Sequence, residues 1–266
     1  MLLNTIKRAT LGCMALLSGP GLAATAPTPA PPPDPNQIVA QMCAYLKSLD
    51  HFSYRAEVTD DQVYTGGKKL QFGFTAETFV QRPDKLRVNA AGDLLDKQFL
   101  FDGKTLALFD AAEKVYATAA VAGDIETALA KADGELRFRV PLGDLSSPKL
   151  CEHLGKDQGH ALYVGPSMVG GVPTAHLAFD RPDIQYQLWV ATGDQPRPVK
   201  VVINQKTLPA APQWTATLSD WNTTQRPPPG AFVFSPPPGV QKIPFAPPPA
   251  PTKTPAVTPD VTGAKQ

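Results

Sequence analysis

Apolar side chains recur at every second position through most of this chain, which is the period of a β-strand with one buried face. The clearest stretch covers residues 79–116, with three consecutive alternating runs. Between the last two runs, Asp102 and Gly103 supply the positive φ angles of a two-residue hairpin turn. The pattern predicts an antiparallel sheet, with a last edge contact at Phe232 and Phe234 and further strands over residues 52–58, 70–76, 161–164, 175–179, 184–190, 199–203 and 214–218.

Three other segments have helical periodicity. The first begins at Asp34, whose carboxylate caps free amides, and Pro35 takes the first helical position. The second follows Asp124, and the third begins at Ser147 and ends near Gly155. The first helix is predicted to bury one apolar stripe formed by Ile38, Met42, Tyr45, Leu46 and Leu49.

About eleven strands and three helices make a mainly β protein of the α+β class. A long antiparallel sheet with one apolar face buries that face by curling. We therefore predict an unclosed barrel with helices over its concave face. Such a barrel either encloses a cavity or is filled by its own Phe, Leu and Trp side chains. The periodicity is compatible with both.

Two motifs in the central stretch carry a family resemblance. Residues 81–86 read QRPDKL and residues 101–106 read FDGKTL. This pair resembles the central motifs of the periplasmic lipoprotein carriers LolA and LolB. From about residue 35 to 245 the chain most resembles domain of unknown function 2092, a proteobacterial branch of that superfamily. The resemblance implies a helical lid over an apolar hollow that receives acyl chains.

The resemblance also implies roles for two residues. Arg82 matches the arginine with which the carrier holds its lid closed, and the donor fork of a guanidinium binds several carbonyls at once. Leu86 matches a bulky apolar residue near the cavity, where the carrier has an aromatic side chain. For Arg82 the alternative is a cap at the end of its own strand.

Residues 1–26 have the layout of a secretory signal peptide, with a basic pair at positions 7 and 8, an apolar run over 11–22 and small residues at the end. The run is too short to span a membrane as a helix, so the mature chain has no transmembrane segment from this region. Cleavage is predicted after position 23, 24 or 26. Acylation at Cys13 is a weaker alternative.

Proline marks the domain limits, since thirteen of the 30 prolines lie from Pro227 onward. We predict a Pro-rich linker over residues 27–33, a LolA-like half-barrel domain over 34–245 and a disordered Pro-rich tail over 246–266. After the leader, Cys43 and Cys151 remain. They form either one disulfide, as an oxidising compartment favours, or two buried thiols.

Composition and motifs exclude several function classes. Lys+Arg 25 against Asp+Glu 24 gives a net charge of +1 and no basic footprint for nucleic acid. The triplet from Gly103 to Thr105 lacks the earlier glycine of a phosphate-binding loop, and Val169 replaces the closing glycine of a nucleophile elbow around Ser167. The four histidines show no paired ligand spacing. We therefore expect no catalytic residue, metal or cofactor.

The sequence favours a monomeric, periplasmic, non-enzymatic binding protein that holds an acyl chain, a lipoprotein or another apolar ligand in a half-barrel cavity. The alternative is a structural or sensory cell-envelope domain with a filled cavity, which contacts an envelope protein through a sheet edge or the Pro-rich tail. A hydrolase ranks below both.

The first prediction concerns export. Protein recovered from the periplasm should lack the first 23 to 26 residues, because the basic, apolar and small-residue zones direct cleavage there. N-terminal sequencing and intact mass measure this directly. An intact Met1 on periplasmic protein would contradict it, and a lipid adduct on Cys13 would favour acylation instead.

Overall fold

The computed structural model describes residues 31–155, 160–228 and 230–245. The predicted signal peptide and Pro-rich tail lie outside these residues, and the predicted domain limits stay a prediction. The described residues form three α-helices, a 3-10 turn and twelve strands. The helices are α1 (Pro35–Ser48), α2 (Ile125–Gly134) and α3 (Leu150–Gly155), and the 3-10 turn is Gly143–Ser146.

The strands are β1 (His51–Val63), β2 (Lys69–Gln81), β3 (Lys85–Gly92), β4 (Asp96–Phe101), β5 (Thr105–Asp110), β6 (Val115–Ala120), β7 (His160–Val169), β8 (Val172–Asp180), β9 (Ile184–Ala191), β10 (Pro198–Gln205), β11 (Gln213–Asn222) and β12 (Gln241–Lys242). They form one sheet in the order β12-β6-β5-β4-β3-β2-β1-β11-β10-β9-β8-β7. Its end strands do not pair with each other, so the sheet stays unclosed. The predicted fold class is confirmed, with twelve strands instead of about eleven.

All neighbouring strands are antiparallel except β12, which runs parallel to β6. The register places alternating apolar residues of β1–β5, β8, β9 and β11 on the helix-covered side, which we call the inner face. Its first half belongs to β1–β5 and β11 and packs against α2 and residues 136–145, which we call the cover segment. Its second half belongs to β8 and β9 and packs against α1 and α3. The helices therefore cover the inner face, as the sequence predicted.

The two helices on the second half are joined covalently. Cys43 of α1 and Cys151 of α3 form a disulfide, with Cα atoms 5.8 Å apart. That separation lies in the usual range for disulfides. Of the two alternatives that the sequence left open, the structure has the bridge, and it closes a separation of 108 residues.

The C-terminal segment crosses the opposite, outer face. Arg87 Nη1 donates to the Ala231 carbonyl at 3.3 Å, and the ring of Phe234 lies 5.7 Å from Phe109 and 5.1 Å from Tyr116. Phe232 is buried. The predicted last edge contact is met in part: Phe234 packs on β5 and β6 near this edge, but the strand that pairs there is β12.

Two local details also differ from the predictions. Helix α1 buries Val39, Met42, Cys43 and Leu46. Met42 and Leu46 belong to the predicted stripe, but Val39 and Cys43 replace Ile38 and Tyr45 at its centre, because α1 packs against α3 as well as the sheet. In the β4–β5 hairpin only Gly103 has a positive φ, 95°. Asp102 lies before the turn, where its carboxylate accepts from the amides of Lys104 and Thr105 at 2.9 and 2.7 Å.

The disulfide generates the second prediction. Replacing both cysteines by serine should lower the free energy of unfolding by about 4 to 5 kcal/mol in the chain-entropy model, because the unfolded chain regains the freedom of a long loop. Denaturant titration measures the loss, and reduced wild-type protein is the matched control, with an equal expected loss. Two alkylatable thiols in unreduced protein would rule the bridge out.

Candidate functional site

The two family motifs meet at one end of the inner face. The turn after β2 contains Pro83 and Asp84, and the β4–β5 hairpin contains Gly103. Gly103 has a φ of 95°, which favours glycine, and a Cβ there would lie 2.5 Å from Asp84 Oδ2, so the two turns approach each other closely. Helix α2 begins beside them, since the Ile125 amide donates to the Pro83 carbonyl at 3.0 Å.

Arg82 joins this end of the sheet to helix α1. Its amide donates to the Asp50 carbonyl at 2.8 Å. Its Nη1 donates to the carbonyls of Leu46 and Leu49, at 2.5 and 2.7 Å. These carbonyls end α1, where backbone acceptors lack helical partners and the helix dipole favours a cation. Arg82 therefore caps a covering helix rather than its own strand.

The surroundings of this guanidinium are partly apolar. Its central carbon lies 5.3 Å from the ring centroid of Phe52, and its Nε is buried without a hydrogen-bond partner among the described residues. Burial lowers the pKa of Arg82, and the negative charge of Asp50 opposes that shift. The arginine keeps its charge, since the free pKa lies far above neutrality.

The buried apolar side chains of the strands on the inner face form what we call the floor. Leu86 belongs to this floor and does not lie beside an open space. It is on β3, opposite Val80 of β2 and Phe101 of β4, and is 0% exposed. Arg82 and Leu86 are thus close along the chain on either side of one turn. The guanidinium of Arg82 contacts the end of α1, whereas the Leu86 side chain is buried on the sheet.

Aromatic side chains fill the space above this floor. In one stack the ring of Trp221 lies 5.9 Å from Phe52 and 4.8 Å from Tyr54. In a second group Phe138 of the cover segment lies 6.0 Å from Phe99 of β4 and 5.8 Å from Phe245. Side chains of the chain itself therefore pack over this part of the inner face.

Two depressions occur elsewhere, on the solvent side of α2. They have volumes of about 230 and 630 Å³ and share Glu126 and Ala130. Acidic and basic side chains line both of them, and neither includes Arg82 or Leu86. They are not the apolar hollow that the resemblance implies.

A polar group lies inside the apolar filling, and the sequence analysis did not single it out. Tyr54 is buried and its hydroxyl donates to the Leu142 carbonyl of the cover segment at 3.3 Å. Burial raises the pKa of Tyr54 well above its usual value, the neighbouring Thr78 opposes the shift, and the charge of Asp144 adds to it. Thr78 interrupts the apolar positions Ala76 and Val80, a signal that the sequence does contain.

His51 and His176 each lie within hydrogen-bond distance of a polar neighbour. His176 Nε2 lies 2.9 Å from Gln187 Oε1, and His51 Nε2 lies 3.4 Å from the Thr224 carbonyl. Across residues 31–155, 160–228 and 230–245, no three or more His, Cys, Asp or Glu side chains are grouped to hold a metal ion. In the same residues no helix is long and apolar enough to cross a membrane.

Comparison with solved structures finds distant likenesses. The chain is similar to lipoprotein LppX of Mycobacterium tuberculosis at 15% identity and a TM-score of 0.43, covering 72% of this chain and 97% of that chain. It is similar to a LolA superfamily protein from Nitrosomonas europaea at 11% identity and a TM-score of 0.36, covering 72% of this chain and 94% of that chain. It is also similar to a chain of the MucA/MucB complex of Pseudomonas aeruginosa at 14% identity and a TM-score of 0.42, covering 76% of this chain and 62% of that chain. No curated protein matches the chain, and these likenesses assign it no function.

An unclosed antiparallel sheet with helices across its inner face and the motif pair at two adjoining turns has the architecture of a half-barrel. Within that class, the chain belongs to the DUF2092 family, described as "Predicted periplasmic protein", which it matches over residues 36–246. The resemblance to this family is confirmed. The family description also confirms the predicted periplasmic location.

The third prediction tests the cap on α1. Arg82→Leu should lower the free energy of unfolding by about 2 kcal/mol, because the helix-end carbonyls lose a charged donor. Amide exchange at the end of α1 should also become faster. Arg55→Leu is the matched control, since this β1 arginine forms an exposed ion pair with Glu77 at 3.4 Å and should change stability by no more than about 0.5 kcal/mol. Equal effects of the two substitutions would show that Arg82 does not hold the helix.

Proposed function

We propose that this protein is a non-enzymatic periplasmic binding protein that takes an acyl chain, lipoprotein or other apolar ligand between its inner face and the cover. The observation that carries the proposal is the weak attachment of the cover segment to the large apolar floor. In the closed form the cover's own side chains occupy the position that the ligand takes. Burial of apolar surface stabilises both the closed form and the ligand-bound form.

The cover segment forms its backbone hydrogen bonds locally. The amides of Phe138, Gly143 and Leu145 donate to carbonyls within residues 132–142. Among the described residues, the bond from Tyr54 to Leu142 is the one hydrogen bond that joins the cover segment to the sheet. The segment therefore moves away from the floor without breaking the sheet.

The apolar side chains of the cover are less buried than those of the floor. Floor residues such as Ala56, Ala76 and Leu106 are fully buried. The apolar side chains of the cover segment that pack on them are only partly buried: Leu136, Phe138, Val140, Leu142 and Leu145. Replacing part of this contact by an acyl chain therefore costs less than opening a fully buried core.

A second function has one specific observation in its favour. Strand β7 is an open edge of the sheet, while β12 covers the opposite edge at β6. Leu162, Val164 and Met168 of β7 are 60%, 49% and 64% exposed. An open, uncharged strand with exposed apolar side chains suits the addition of an extended segment from another envelope protein.

The fourth prediction tests the first function with a fluorescent fatty-acid probe. Wild-type protein should bind it, and Leu86→Glu should weaken binding by about tenfold or more, because an unpaired carboxylate on the floor is strongly disfavoured beside an acyl chain. Leu162→Glu is the matched control, since the same change on the exposed β7 should leave probe binding as it is.

Only protein with a wild-type circular dichroism spectrum is compared, because the carboxylate also destabilises the fold. Leu86→Met, which keeps the volume of the side chain, is the folded reference and should bind the probe. If wild-type protein binds no probe, or both glutamate variants bind it equally well, the ligand-binding function fails. Loss of a protein partner in Leu162→Glu alone would then favour the β7 edge.

A further inference from the structure

Two polar side chains on the inner face leave a donor unused. Thr78 is 0% exposed, and its Oγ1 has no hydrogen-bond partner among the described residues. The Nε1 atom of Trp221 is also buried without a partner there. Buried donors are normally satisfied, because water bonded to them in the unfolded chain. Each unused donor therefore requires a reason.

Both of these residues lie beside the side chain of Tyr54. Thr78 of β2 is directly opposite Tyr54 of β1 in the strand pair, and its hydroxyl lies near enough to that of Tyr54 to oppose the rise in the tyrosine's pKa, although Thr78 Oγ1 forms no hydrogen bond among the described residues. The ring of Trp221 lies 4.8 Å from that of Tyr54. Tyr54, Thr78 and Trp221 therefore form one group on adjacent strands, which we call the donor cluster. Its only bond to the cover is the one from Tyr54 to Leu142.

The fold does not need these polar atoms. Thr78 is flanked on the same face by Ala76 and Val80 and lies opposite Val88 of β3, all of them apolar and buried. A valine at position 78 has nearly the shape of threonine and leaves no donor unsatisfied. The hydroxyl therefore lowers the stability of the closed form, and an acceptor supplied from outside would remove that cost.

The chemistry of the cluster limits what it binds. An indole N–H only donates, and the two hydroxyls are free to donate when an acceptor approaches. The three side chains carry no charge. They suit an oxygen acceptor at one end of an apolar molecule, and the surrounding Phe52, Val80 and Leu218 suit the hydrocarbon remainder.

We propose that the donor cluster is a polar subsite for the carbonyl oxygen of an acyl ligand, either a carboxyl or an ester. This rests on the proposed function and names its ligand class. In the closed form the Leu142 carbonyl accepts from Tyr54. When ligand enters, its carbonyl takes that place and also accepts from Thr78 and Trp221, while Leu142 withdraws with the cover segment. Ligand binding and opening of the cover are thus coupled through one exchanged hydrogen bond.

The fifth prediction compares three chain-matched ligands: dodecanoic acid, methyl dodecanoate and dodecane. Displacement of the fluorescent probe gives their affinities. Wild-type protein should bind the acid, the ester or both about tenfold more tightly than the hydrocarbon, the ratio that one or two net hydrogen bonds supply. Tighter binding of the acid alone identifies a carboxyl ligand, and equal binding of acid and ester identifies the shared carbonyl.

Thr78→Val should weaken acid or ester binding about fivefold, the equivalent of one hydrogen bond, and leave dodecane binding unchanged. Tyr54→Phe should change this affinity less, because it removes one hydrogen bond from the closed form and one from the ligand-bound form. Thr174→Val is the matched control, because Thr174 is equally buried on β8 but its hydroxyl already donates to the Ser167 carbonyl at 3.1 Å. It should lower the melting temperature and keep the ratio of acid to dodecane affinity, whereas Thr78→Val should not lower the melting temperature.

Equal affinities for the three ligands, or a ratio that Thr78→Val leaves unchanged, would overturn the donor cluster while the apolar binding function stands. If none of the three ligands displaces the probe, and the probe itself does not bind, the proposed function fails and the subsite fails with it.

Discussion

The inner face of the sheet has to be covered, and the rest of the structure follows from that need. Twelve strands in one unclosed sheet present most of their buried apolar side chains on one face. Apolar surface of this extent is not stable in water, and the sheet cannot pair its own ends to enclose it. Helices α1, α2 and α3 and the cover segment are the solution that the chain adopts.

The two halves of this cover are held in different ways. On the second half α1 and α3 are tied by the Cys43–Cys151 disulfide, and α1 is held at its end by Arg82. On the first half the cover segment has local hydrogen bonds and a single bond to the sheet through Tyr54. Regions with few hydrogen bonds to the rest of a protein open most readily. The first half is therefore where opening is expected, with the disulfide-linked helices as the fixed side.

Much of this fold could be predicted from the sequence, because its strands alternate and its helices start at recognisable caps. Asp34 and Asp124 do accept from first-turn amides, at 2.9 Å each. Strand β6 was harder, since its VYATAA run has small residues on both faces and is fixed by pairing with β5. Strand β12 has no local signal at all, because it depends on long-range pairing with Val115 and Tyr116.

The site was predictable only in part. The motif pair indicated Arg82 and Leu86, but whether the hollow is open depends on how distant aromatic side chains pack, and no periodicity contains that information. The donor cluster combines residues from β1, β2 and β11, which are 24 positions or more apart along the chain. Only the register brings them together. A polar residue within an apolar alternation, as at Thr78, is the sequence signal that such a group leaves.

We propose above that the inner face accepts an apolar ligand beneath its cover. A native mass spectrum of protein purified gently from the periplasm tests it most directly, because co-purified lipid keeps its mass without any choice of probe. The account predicts a bound species with the mass of an acyl lipid, which is released when the protein is unfolded. A spectrum that contains only the unliganded mass, from protein with an intact fold, would contradict it.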